Sequence, residues 1–187
     1  MMYFWNGMLI GRCVVIAFAS VLTLGIHNGH GQDVAEPEMP NVDLETAEGR
    51  QVFERKNAVV RFLALMMLNS RLGSNDLPED ALNNCPEEFQ QFFRKGRDYA
   101  EMSEEEQKKF QEQSILIFEK YAVNQILSDM MFWISREMNS DVFSGVVPDF
   151  ENVVKQEYGR LKKSIEAGTI IIPSLDELRA LRRAAGN

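Results

Sequence analysis

Residues 58–68 constrain the fold of this chain more than any other stretch, because AVVRFLALMML is apolar at every position except Arg61. A helix that is apolar on all sides is stable only where other elements surround it. The pattern therefore predicts a central, buried helix over about residues 45–72, with Gly73 as its C-terminal cap. The sequence contains neither strand-like alternation nor an internal repeat, so we expect an all-α fold.

A helix with a phenylalanine-rich side is predicted to follow Cys85-Pro86. Proline fits the first turn of a helix, where its missing N–H would have no partner in any case. Phe89, Phe92 and Phe93 then recur at helical spacing, which puts their three rings on one side of the helix. We expect this side to face the core.

Two capping boxes predict where later helices begin. The first is SEEE at residues 103–106, from which we expect one long helix near residues 103–139. The second is SLDE at residues 174–177, which opens the last helix. Between them, Pro148-Asp149 predicts a helix that continues to about residue 167. Together these signals predict a single helical bundle of about five helices within residues 45–187.

Residues 1–31 have the pattern of a cleaved secretory signal peptide. Arg12 precedes an apolar or small-residue run of 14 residues at 13–26, which is shorter than the roughly 20 residues that a membrane helix needs. Cleavage after residue 31 predicts a secreted chain that starts with a flexible acidic lead-in at 32–44. The alternative is a signal-anchored membrane protein whose C-terminal part lies outside the cell.

Cleavage at this point would remove both histidines of the chain, His27 and His30. Without histidine, no Cys/His metal set and no ordinary base for a serine nucleophile remain, so we expect no metal, no cofactor and no enzymatic activity. The formal charge of −8 and the scattered basic residues argue against nucleic acid as a partner. The acidic clusters fall in the first turns of predicted helices, where they complement the helix dipole.

Cys85 is the one cysteine expected in the secreted chain, so no intrachain disulfide can form. Its position before Pro86, at a predicted helix start, is one where the helix dipole lowers a thiol pKa. Two interpretations remain open. Cys85 is either a half-buried small residue of the fold or a thiol available to pair with another chain.

A surplus of methionine and aromatic side chains on the two most apolar predicted helices forms the candidate ligand or interaction surface. These residues are Met66, Met67, Met130, Met131, Phe132, Trp133 and Met138. Arg61 lies within the same apolar sequence and is a candidate partner for a buried carboxylate, either of the protein or of a fatty acid; the alternative is that its charged end extends to the surface. The simplest interpretation is an ordinary core. The functional one is that part of the set lines a cavity or an exposed groove.

The sequence therefore predicts a secreted, acidic, non-enzymatic helical protein that binds an extracellular protein partner through a helical surface. The alternative is a carrier of apolar small molecules, such as a fatty acid, in the methionine- and aromatic-rich interior. After signal cleavage, no stable membrane span is expected.

Overall fold

The computed structural model describes residues 45–138 and 149–185. Within these ranges 79% of the residues are helical and none lies in a strand, which confirms the all-α prediction. The described residues form a 3₁₀ segment, Gly96–Glu101, and seven α-helices: α1 (Ala47–Leu72), α2 (Glu79–Leu82), α3 (Glu87–Lys95), α4 (Glu104–Lys120), α5 (Val123–Glu137), α6 (Phe150–Glu166) and α7 (Leu175–Ala184). The signal peptide predicted at 1–31 and the lead-in at 32–44 lie outside the described residues.

Helix α1 matches the predicted first helix and ends at the predicted glycine. Gly73 has φ 81°, a left-handed conformation that glycine adopts without steric cost. The N–H of Gly73 donates to the Ser70 carbonyl at 3.1 Å, and that of Ser74 donates to the Asn69 carbonyl at 2.9 Å. These two bonds form a Schellman motif, which satisfies carbonyls that the helix end would otherwise leave without partners.

The middle of α1 is buried, as the sequence predicted. Arg61 is the exposed residue within it. The apolar side chains at most 4% exposed are those of Val59, Val60, Phe62, Leu63, Ala64, Leu65 and Leu68.

The prediction of one long helix near residues 103–139 is wrong, because α4 ends at Lys120 and α5 begins at Val123. Ala122 between them has φ 51°, a left-handed conformation unusual for a residue with a Cβ atom. The reason lies in the phase of the buried residues. At 100° per residue, a continuous helix would place Ile126 and Met130 roughly opposite the buried side that contains Ile117. The break allows both sets to be buried.

The described residues divide into two compact units. Unit 1 contains residues 45–54 and 86–118, and unit 2 contains residues 55–85, 119–138 and 149–185. The prediction of a single helical domain over residues 45–187 stays a prediction.

Aromatic rings form the interior of unit 1. Phe92 is at its centre: its ring stacks on that of Phe110 with centroids 4.7 Å apart and an interplanar angle of 5°. The rings of Phe93 and Phe118 meet Phe92 edge to face at 5.3 and 5.9 Å, an arrangement favoured by the ring quadrupoles. The predicted phenylalanine side of α3 is therefore buried.

The interior of unit 2 is mainly aliphatic. Helix α6 contributes Leu161 and Ile165, and α7 contributes Leu175 and Leu178. All four side chains are at most 5% exposed. Together with the middle of α1 and the buried side of α5, they give this unit an apolar core.

Both predicted capping boxes are present. The Glu106 side chain accepts the Ser103 N–H at 2.9 Å, and that of Glu177 accepts the Ser174 N–H at 2.7 Å. In return, each serine hydroxyl accepts the backbone N–H of its glutamate at 3.4 Å. The hydrogen bonds from Ser103 lower the pKa of Glu106, and those from Ser174 lower the pKa of Glu177.

Candidate functional site

The methionine and aromatic set predicted as a ligand or interaction surface divides into buried and half-buried members. Met130, Trp133 and Met138 are 0%, 4% and 4% exposed. The four other members, Met66, Met67, Met131 and Phe132, are half-buried. Three of the seven therefore belong to the core, and the role of the set as a binding surface stays a prediction.

Arginine side chains lie against two of the half-buried members. The guanidinium of Arg71 approaches the Met131 sulfur at 3.9 Å. The guanidinium of Arg136 lies over the Phe132 ring, 5.8 Å from its centroid, which is within the range of a cation–π contact. These contacts place charged groups beside side chains that the sequence suggested for an apolar ligand.

Arg61 contacts a helix end instead of a carboxylate. Its side chain is on the exposed side of α1, and Nη2 donates to the Ile165 carbonyl at 3.3 Å. Ile165 lies in the last turn of α6, where its carbonyl also accepts the Gly168 N–H at 3.1 Å and where the helix dipole favours a cation. The observed contact gives Arg61 a structural role, in which it joins α1 to the end of α6.

Cys85 is a buried thiol with a raised pKa. The side chain is 5% exposed, and Sγ donates to the Ala81 carbonyl at 3.5 Å. Burial raises the pKa of Cys85 to about 12, because the thiolate would lose its hydration. The expectation that the following helix lowers this pKa is therefore wrong. A thiol that stays protonated near neutral pH is a poor nucleophile.

A polar cluster between α5 and α7 was missed in the sequence. Asp129 is fully buried, and its Oδ1 accepts bonds from Arg182 Nη1 at 2.8 Å and from Gln125 Nε2 at 2.9 Å. Arg182 Nη1 also donates to Ser128 Oγ at 2.7 Å. A signal was available: Asp129 is a lone carboxylate followed by the apolar run MMFWI.

Two buried polar atoms of this region have no hydrogen-bond partner among the described residues. They are Oδ2 of Asp129 and Nε of Arg179. Arg179 precedes Arg182 by three residues on α7, so the two arginines lie on the same side of the helix. Buried polar atoms are usually satisfied, and one that is not weakens the docked arrangement.

Unit 1 exposes two neighbouring aliphatic side chains on α4. Ile115 is 48% exposed and Leu116 is 66% exposed, although Ile117 and Phe118 directly after them are buried. In unit 2, Phe150 and Ile171 are also exposed, at 49% and 84%. Single exposed apolar residues are common on protein surfaces. Ile115 and Leu116 differ because they are consecutive residues of a regular helix, about 100° apart around its axis, and both are exposed.

No group of three or more His, Cys, Asp or Glu side chains in the described ranges is arranged to hold a metal ion. Likewise, a helix both long and apolar enough to cross a membrane is not found among these residues. In comparisons with protein-family models, curated proteins and solved structures, this chain has no match.

Proposed function

We propose that this chain is a secreted, non-enzymatic protein that binds another protein through the surface of helix α4. The observation that supports this proposal is the exposure of Ile115 and Leu116, two consecutive residues of helix α4. Burying both side chains against a partner would remove their apolar surface from water, which favours association. An apolar centre with a polar rim is also the usual organisation of a protein interface.

The residues beside this pair are consistent with such a rim. Glu112 precedes Ile115 by three positions and Leu116 by four, so it is their neighbour on the helix surface. Lys109 lies one turn further back and is paired with Glu105 at 2.7 Å. Charged side chains at the edge of an interface contribute mainly to orientation and association rate.

The carrier alternative has no specific support from these contacts. Met130, Trp133 and Met138 are packed in the core, as expected for ordinary interior residues. The half-buried Met131 and Phe132 lie beside guanidinium groups. Protein binding through α4 is therefore the function that we propose.

A photo-crosslinking residue at position 116 tests this proposal in the extracellular fluid of the organism that makes the protein. The matched control places the same residue at Gln156, an exposed polar position on α6. We expect a discrete crosslinked protein at position 116 and none at position 156. Excess wild-type protein should compete for the product, whereas the variant Ile115→Ser/Leu116→Ser should not. Equal products at both positions, or equal competition by that variant, would contradict the proposal.

A further inference from the structure

Helix α7 packs against α5 in unit 2 and has two buried side chains. It has 10 residues, and a helix of this length is marginal in water without tertiary contacts. Leu175 and Leu178 are its buried residues, and both lie in its first half. The second half contacts α5 through Arg182, which bonds to Ser128 and Asp129.

The ion pair matters because its two members are in unequal surroundings. The Asp129 side chain is 0% exposed, whereas that of Arg182 is 34% exposed. Release of α7 would return Arg182 to water, where it is well solvated. As long as its surroundings stayed closed, Asp129 would be left as a buried carboxylate without a cation, which is strongly unfavourable. The position of α7 and the exposure of the Asp129 carboxylate to water are therefore linked through this ion pair.

Two buried polar atoms also make the docked arrangement less stable. Asp129 Oδ2 and Arg179 Nε lack hydrogen-bond partners among the described residues. Opening would let water reach both atoms, which offsets part of the loss when the ion pair separates. A helix whose release gains hydrogen bonds to water while it loses an ion pair opens locally more readily than a well-packed core does.

We propose that α7 is a releasable latch, held on α5 by the Asp129–Arg182 ion pair. When the pair is intact, α7 covers the part of α5 around Asp129. When the pair is broken, α7 opens as a unit and the rest of unit 2 stays folded. The ion pair thus controls whether a buried carboxylate of α5 meets solvent.

Hydrogen exchange measured by mass spectrometry on the full chain tests this latch. The variant Arg182→Met removes the cation and keeps most of the side-chain length. We expect the amides of α7 to exchange about tenfold faster or more, because an unpaired buried carboxylate opposes docking. Amides of α1 at residues 59–68 should change by less than about twofold, because the core of the unit stays closed.

The matched control is Arg183→Met, which changes an exposed arginine next to Arg182. It should leave exchange in α7 at the wild-type rate. Both bonds of Arg182 come from the single atom Nη1, and the lysine ammonium of Arg182→Lys has enough N–H donors for both, but it lies on a shorter side chain and reaches Asp129 and Ser128 less well. This variant should raise α7 exchange by about two- to threefold, again confined to α7, so it remains informative if Arg182→Met does not fold. Unchanged α7 exchange in Arg182→Met, or an equal rise in α1 and α7 in either Arg182 variant, would overturn the proposal.

Discussion

The two units of this protein share an all-helical structure but fill their interiors differently. The described core of unit 1 contains six aromatic residues, Phe89, Phe92, Phe93, Tyr99, Phe110 and Phe118. Unit 2 has a mainly aliphatic interior, and it also buries the Asp129 carboxylate, which pairs with the partly exposed Arg182 and accepts a bond from Gln125. An aromatic cluster gains stability from area and ring geometry alone. A buried carboxylate is stable only while its partner stays in place.

Because of this difference, we expect the two units to respond differently to the loss of a buried side chain. Loss of a ring from unit 1 leaves a cavity, and the cost is spread over every side chain that touched the ring. Loss of one partner in unit 2 leaves an unpaired charge, and the cost falls on the element that supplied the partner. We therefore expect cooperative weakening in unit 1 and local opening in unit 2.

The largest effect is expected for Phe92→Ala in unit 1. Phe92 contacts Phe93, Phe110 and Phe118 through its ring, and its side chain is 3% exposed. Truncation of a buried phenylalanine to alanine lowers the free energy of unfolding by about 3–5 kcal/mol. Urea denaturation followed by circular dichroism measures this loss.

The control for this prediction is Phe92→Leu, which keeps much of the volume and removes the ring. We expect a loss of about 1–2 kcal/mol, smaller than that for alanine because less of the cavity is left open. If Phe92→Ala changed stability by less than Phe92→Leu, packing of the rings would not be the source of stability in unit 1.

The sequence predicted the aromatic interior better than the polar cluster, for a physical reason. Phe89, Phe92 and Phe93 lie close together in the chain, and helical spacing alone puts them on one side. Asp129 and Arg182 lie 53 residues apart, and pairing them requires knowledge of how α5 and α7 pack. Local periodicity does not contain that information.

The break between α4 and α5 is a second feature that local sequence signals did not predict. The stretch from 104 to 137 is helical on both sides of Ala122 and has no proline or glycine to end the first helix. The available signal was the change in phase, since Ile117 and Ile126 belong to opposite sides of one continuous helix. The capping box at residues 103–106 predicts where the helix begins, and no capping or breaking residue marks its end at Lys120. The two capping boxes, in contrast, depend only on residues three positions apart in the chain, and the helix starts that they predict at Ser103 and Ser174 are confirmed.

Cys85 can be compared with Asp129, because unit 2 buries a neutral thiol as well as a carboxylate. The raised pKa of about 12, against 9.0 for an ordinary thiol, means that the folded state retains the proton when the unfolded state has lost it. This contribution to stability is complete below pH 9 and is lost as the pH rises toward 12. Through this range the free energy of unfolding should fall by up to about 1.4 kcal/mol per pH unit.

The matched measurement compares urea denaturation at pH 8 and pH 10 for the predicted secreted chain, residues 32–187, with and without Cys85→Ala. Other groups also titrate in this range, so the informative quantity is the difference between the two proteins. We expect the protein with Cys85 to lose about 1 kcal/mol more than the alanine variant between the two pH values. Parallel losses in both proteins would show that Cys85 ionises as easily in the folded state as in the unfolded state.

The smallest expected effects are those of the two capping boxes, one at the start of α4 in unit 1 and one at the start of α7 in unit 2. Both use the same bonds at nearly the same lengths, so Ser103→Ala and Ser174→Ala should each lower stability by about 1 kcal/mol. The alanine variants should also raise the pKa of Glu106 or Glu177, measured by NMR, because each glutamate loses the hydroxyl bond that favours its charged form.

Ser70→Ala, an exposed serine within α1, serves as the control and should change stability by less than about 0.5 kcal/mol. Equal losses at the two caps would mean that the units differ in their interiors and not in how their helices begin. A Ser174→Ala loss much larger than that of Ser103→Ala would contradict this, because the start of α7 would then contribute to the latch together with Arg182. Hydrogen exchange of α7 in Ser174→Ala separates the two cases, since a cap alone protects the first turn and a latch protects the whole helix.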